Sequence, residues 1–181
     1  MSIDANLSVG YSARAFVDCI TQGFLVDKKL NESDLLAIEM YCSSFFENTI
    51  NAKFLSLMIS IESMLEFINH NEQIQNVIQQ AINNITALEI HQTEKESLIG
   101  SLNHLKKISI TKAGILLAEK YLGHENNYLG LTPADFFKKC YNLRSLLVHY
   151  GKRNKNNFSI EKVTPELIKF TGTLIERKLL S

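Results

Sequence analysis

Tryptophan is absent from this chain of 181 residues, proline occurs twice, glycine eight times and cysteine three times. Glycine and proline together fall well below their usual share of about 12%, which calls for long helices joined by few turns. Cys19, Cys42 and Cys140 are odd in number and far apart. They offer no paired metal-ligand spacing and are expected to be free thiols in a reducing compartment. Net charge is also missing, because 19 basic residues balance 19 acidic ones. No global field draws the protein onto nucleic acid, so any such contact must come from a local patch. The opening MSIDANLSVG has neither a basic nor an apolar targeting region, and the most apolar run, Phe54 to Ile61, is bounded by Lys53 and Glu62. The expectation is a soluble cytoplasmic protein without a membrane span. With 45% apolar and 21% charged residues, the chain suits one globular domain with an appendage.

Residues 1–30 read as an extended N-terminal arm or short hairpin, given Gly10, Gly23 and the β-tolerant stretches AFVDCI and GFLV. Residues 31–181 read as a helical domain, making the fold class all-α. Asn31 or Ser33 caps a first helix through Leu35, Ile38, Tyr41, Cys42 and Phe45. The strongest period follows, at Phe54, Leu57, Met58, Ile61, Met64, Leu65 and Ile68, and predicts a core helix of about five turns. Glu62 falls on the flank of that stripe, which predicts a half-buried carboxylate, while Ser56, Ser60 and Ser63 fall on its polar side. Asn71 starts a helix with an amide-rich outer face. Thr93 and Glu96 fit a capping box for the next, whose buried face is Leu98, Leu102 and Leu105. Ser109 or Thr111 starts another that Gly123 closes with a left-handed cap. Thr132 caps a helix with Pro133 at its first position and a stripe of Phe136, Cys140, Leu143, Leu147 and Tyr150, and a last helix runs from Pro165.

Familiar catalytic signatures are missing: there is no nucleophile elbow, P-loop, dinucleotide-binding glycine pattern, zinc-protease motif or paired CxxC. His70, His91, His104 and His124 have no second ligand at metal spacing, which assigns them solvated structural roles and leaves the chain without a predicted metal or cofactor. What remains is YNLRSLLVHYGKRN, residues 141–154, with Arg144 and His149 five apart near a helix end. On an ideal wheel the two point about 140° apart and His149 lies off the apolar stripe, so the imidazole should be accessible. From spacing alone, Arg144 bridges to a carboxylate such as Glu62 and His149 sits at the helix C-terminus, where its charge suits the dipole.

The segment RSLLVH resembles the signature of the HEPN superfamily, R-x4-6-H near the end of a late helix with a polar residue after the Arg, here Ser145. Tyr141 and Leu143 before the Arg, Val148 before the His, and the Glu-bearing ISIESMLEF upstream are most similar to the ApeA-like branch. The likeness covers residues 50–180. It implies a helical bundle that forms homodimers, in which two motifs face each other across a cleft as a metal-independent endoribonuclease. Arg144, Ser145 and His149 are the catalytic residues it implies, with Glu62 orienting Arg144. Lys152, Arg153 and Lys155 would hold the RNA backbone, and Tyr150 would stack on a base or pack at the interface. The setting implied is toxin–antitoxin or anti-phage defence, with an antitoxin or regulatory partner. Two other readings stand beside it: a HEPN module that binds nucleotide, RNA or protein without cleaving, and a structural helical adaptor.

Overall fold

The computed structural model describes residues 30–125, 127–150 and 158–180; the side chains of Tyr150 and Leu180 are not among them. The described residues form seven helices and no strands: α1 Glu32–Ser44, α2 Ile50–Ser63, α3 Glu72–Thr86, α4 Gln92–His104, α5 Ile110–Leu122, α6 Pro133–Tyr150 and α7 Ile160–Leu180. The all-α expectation holds for these residues. The expected arm over 1–30 lies outside them save for Leu30, and Lys152, Arg153 and Lys155 lie outside them too.

Local chemistry sets most helix starts. Asn31 Oδ1 accepts from the Asp34 N–H at 2.8 Å, Thr49 Oγ1 from Ala52 at 3.1 Å, Asn71 Oδ1 from Ile74 at 3.0 Å, and Ser109 Oγ from Lys112 at 3.2 Å. Thr132 Oγ1 accepts from Asp135 N–H at 3.1 Å directly before Pro133, as expected. Two starts differ from expectation. α4 begins at Gln92 after His91, which makes no side-chain cap bond, so Thr93 lies inside the helix and the capping box does not form. α7 begins at Ile160, five residues before Pro165. Ile160 and Val163 are buried in the core ahead of the proline, and their burial outweighs the single backbone bond that Pro165 cannot donate.

α2 also ends earlier than its apolar period, at Ser63 with Met64 as the cap. The chain there leaves the bundle, and Ile68, the last residue of the predicted stripe, is 55% exposed. Gly123 takes φ 78° and ψ −152°, a conformation open to glycine but outside the left-handed helical well expected for it.

Five helices make the bundle. α2 packs against α1, α5, α6 and α7, and α7 touches α1, α2, α5 and α6. The core joins Phe54, Leu57, Met58 and Ile61 of α2 to Phe136, Phe137 and Cys140 of α6 and Leu167, Phe170 and Leu174 of α7. Ser56 and Ser60 are buried, contrary to the polar side assigned to them. Ser60 Oγ donates to the Ala37 carbonyl at 2.7 Å and ties α2 to α1. Lys178 of α7 donates to Asp34 of α1, closing the bundle on that side.

α3 and α4 pair with one another and with no other described helix. None of the residues of α4 is buried, and Leu98 and Leu105, its predicted core face, are 46% and 59% exposed. The pair is anchored where its two connecting segments meet: His70 N–H donates to Lys106 O at 2.8 Å and Ile108 N–H to Ile68 O at 2.9 Å.

Gly114 marks the closest approach of α5 to α6. A Cβ there would lie 2.0 Å from Phe137 Cε1, and Phe137 is fully buried. Alanine gains about 1 kcal/mol over glycine in a helix interior, yet Gly114→Ala should lower stability by about 1–3 kcal/mol because the ring has nowhere to go. Thermal unfolding beside Gly100→Ala, whose added Cβ meets nothing within 4 Å, checks this: Tm should fall in the first variant and not in the second.

Candidate functional site

α6 is one uninterrupted helix from Pro133 to Tyr150, so the segment RSLLVH lies wholly within it. Arg144 Nε lies 3.1 Å from Glu62 Oε1, and Nη2 donates to Oε2 at 3.4 Å. The Nε approach is off the hydrogen-bond line, because Oε1 is shielded from solvent and receives no well-aligned donor. The pair is therefore an ion pair of loose geometry rather than a tight bidentate fork. Its side chains are 25% and 19% exposed for Arg144 and Glu62, which bears out the half-buried position expected for Glu62.

Burial pushes the Glu62 carboxyl above its ordinary range, and Arg144 pulls it back only in part. The folded protein thus holds that proton more tightly than the unfolded chain. This group contributes stability fully below the unfolded value of 4.5 and loses it as pH rises through the raised folded value. Glu62→Gln does not titrate, so its Tm relative to wild type should rise between pH 4 and pH 8. Paired melting curves across that range check the sign; a variant that loses stability against wild type as pH rises would show that Arg144 outweighs burial.

Tyr141, one turn before Arg144, faces the same pair. Burial raises its phenol first, the Glu62 charge adds to that, and Arg144 opposes both. Its ring stacks on Phe137 at 6.0 Å between centroids, so it is part of the wall beside the ion pair. Ser145 is half-buried next to Arg144, and His149 is exposed in the last turn of α6. Between Arg144 and His149 the helix rises about 7.5 Å and turns about 140°, so the two leave one copy of α6 in different directions. Cys140 is buried four residues before Arg144, and burial drives its thiol far above the usual range, which removes it as a nucleophile. Cys42 and Cys140 are free, as expected; Cys19 lies outside the described residues. Apolar side chains flank the ion pair along both helices: Ile59, one turn before Glu62, is 40% exposed, and Val148, one turn after Arg144, is 50% exposed.

The structure thus brings Arg144 and Glu62 together across 82 residues of sequence. Tyr141, noted in the sequence as a flank of the motif, stands beside the pair one turn from Arg144. Among the described residues no group of three metal-ligating side chains occurs and no helix is long and apolar enough to cross a membrane. No protein-family model, characterised protein or solved structure matches the chain.

Proposed function

We propose that this protein is a metal-independent endoribonuclease whose site is assembled from α6 of two copies. The observation that carries the reading is the division of labour along α6: a partly exposed guanidinium held by Glu62, and one and a half turns later an exposed imidazole. Cleavage by the 2′-hydroxyl of RNA needs a proton taken from that oxygen and one given to the departing 5′ oxygen, and imidazole titrates in the range where both transfers work. Negative charge accumulates on the phosphoryl oxygens as the new P–O bond forms. Arg144 spends at most two of its five N–H donors on Glu62 and keeps the rest for that charge. Products would carry a 2′,3′-cyclic phosphate and a 5′-hydroxyl.

A two-fold arrangement answers the angular separation within one helix, because Arg144 of one copy can work beside His149 of the other. Ile59 of α2 and Val148 of α6 are exposed apolar residues that such a pairing would cover. In this reading Ser145 assists Arg144, Glu62 positions it, and Lys152, Arg153, Lys155 and Tyr150 grip the RNA beyond the helix. The biological setting is toxin–antitoxin or anti-phage defence in the cytoplasm, with an antitoxin or regulator as partner. Incubating the protein with labelled tRNA and mRNA in EDTA, and reading fragment ends, tests it. Cutting to cyclic-phosphate ends that stops in Arg144→Ala and in His149→Ala supports the nuclease.

The ion pair itself favours a second reading, a non-catalytic module that binds RNA or nucleotide. A guanidinium already neutralised by Glu62 has less charge to offer a transition state. Intact RNA together with binding that depends on Arg144 would establish it.

A further inference from the structure

The two segments that join α3–α4 to the bundle enclose an open cleft of about 500 Å³. Phe67, His70, His104, Leu105, Lys107 and Ile108 contribute to its lining, and no carboxylate does. In a protein of zero net charge, a lining that carries the Lys107 ammonium and no acid is a local preference for anions. Phe67 is 46% exposed and Leu105 59%, so the cleft also presents apolar surface, including the face of an aromatic ring. Cation beside exposed aromatic is the combination that binds single-stranded nucleic acid, where phosphate meets the charge and a base stacks on the ring. The two segments are tied together by a backbone bridge at Asn69 and Lys107, and the Gln75 side chain donates through Nε2 to the His70 carbonyl at 2.8 Å.

We infer that this cleft binds single-stranded RNA running past the Glu62–Arg144 pair, with Phe67 stacking on a base and Lys107 meeting a backbone phosphate. The inference rests on the reading that RNA is the ligand of α6 and names where the strand goes next. Phe67 follows Glu62 by five residues, so their Cα atoms are at most about 18 Å apart. That separation is one that a strand of a few nucleotides can span. Gln79 of α3 accepts from Lys106 Nζ at 2.9 Å, beside Lys107 in the sequence.

The test is fluorescence anisotropy with a fluorescein-labelled 12-nucleotide single-stranded RNA, using the full chain carrying His149→Ala so that the RNA stays whole. Phe67→Ala should weaken binding by about 5- to 100-fold, the range for loss of one stacked base. Phe67→Leu, which keeps apolar bulk without a π-face, should be nearly as weak. Lys107→Ala should lower the slope of log affinity against log salt by about 0.7. Unaltered Tm in each variant separates these losses from unfolding. Full affinity in Phe67→Leu with an unchanged salt slope in Lys107→Ala overturns the inference. So does Phe67-dependent capture of an acidic amphipathic peptide by a protein whose RNA binding ignores Phe67, which would make the cleft a peptide groove. Failure of the nuclease reading is distinguishable: RNA that is bound through Phe67 and Lys107 yet never cut by the chain with His149 intact leaves the cleft standing, whereas RNA cut at full rate by Phe67→Ala and Lys107→Ala proteins that also bind it normally removes the cleft and keeps the nuclease.

Discussion

Arg144→Ala and His149→Ala proteins, each inactive alone, should regain about one quarter of wild-type ribonuclease activity when unfolded and refolded together in equal amounts. Half of the dimers formed by random pairing contain one copy of each. In such a dimer, one of the two sites joins the intact Arg144 of one copy to the intact His149 of the other, and the second site joins both lesions. Arg144→Ala should fall by about 10²–10³ in rate, the usual worth of a donor aimed at developing charge, and His149→Ala by about 10²–10⁴, that of a general acid or base, so recovery to a quarter is far above background. A site built within one copy gives a different result, because every subunit in the mixture then lacks one of its two groups and no activity returns. The experiment reads the composite site without a complex structure. It uses side chains on the accessible part of α6, His149 exposed and Arg144 25% exposed, so neither truncation opens a core cavity.

The second large effect is on stability. Phe170→Ala should lower the unfolding free energy by about 3–5 kcal/mol, the cost of truncating a fully buried aromatic ring. Phe170 is fully buried in α7, 5.0 Å between centroids from Tyr128 in an edge-on contact and 5.5 Å from Phe136 of α6. It therefore links the last helix, the helix that carries Arg144, and the turn at Tyr128 in which Leu129 and Gly130 both adopt positive φ. Removing the ring leaves a void among aromatic neighbours that cannot close around it. Since whole domains hold only about 5–15 kcal/mol, the variant should lose about a fifth or more of its margin, seen as a lower urea midpoint with an unchanged m-value. Phe170→Leu, which refills part of the space, should lose less.

Those features read correctly from sequence are the ones whose causes are local. Asn31, Asn71, Ser109 and Thr132 cap their helices because each cap needs only a side-chain oxygen and a backbone N–H three residues on. The half-buried Glu62 follows from its angle on one wheel, and its pairing with Arg144 follows because a partly buried carboxylate needs a cation. The ends of α2 and the exposure of α4 were illegible for the opposite reason. Ile68, Leu98 and Leu105 continue helical apolar periods, but what decides their burial is whether another helix arrives to cover them, and α3 and α4 cover only each other. His70 and His104 read from sequence as solvated structural residues, and no sequence signal joins them to Phe67 or Lys107. They share a cleft because of backbone pairing across the foot of the α3–α4 pair, which no periodicity records.

That same pairing has a topological meaning. The chain leaves the bundle after Ile68 and returns at Ile108, and those two residues are bonded to each other at 2.9 Å. Exit and re-entry are one point, so the bundle treats everything between them as a single surface insertion. Loop-closure entropy rises only slowly with length. Shortening that insertion to a tight turn, or exchanging it for another paired unit, should therefore leave α2 and α5 in register and the Glu62–Arg144 contact intact. The helices that hold the ion pair and the segment that forms the cleft can accordingly vary at separate evolutionary tempos, the one fixed by packing and the other free to follow whatever it grips.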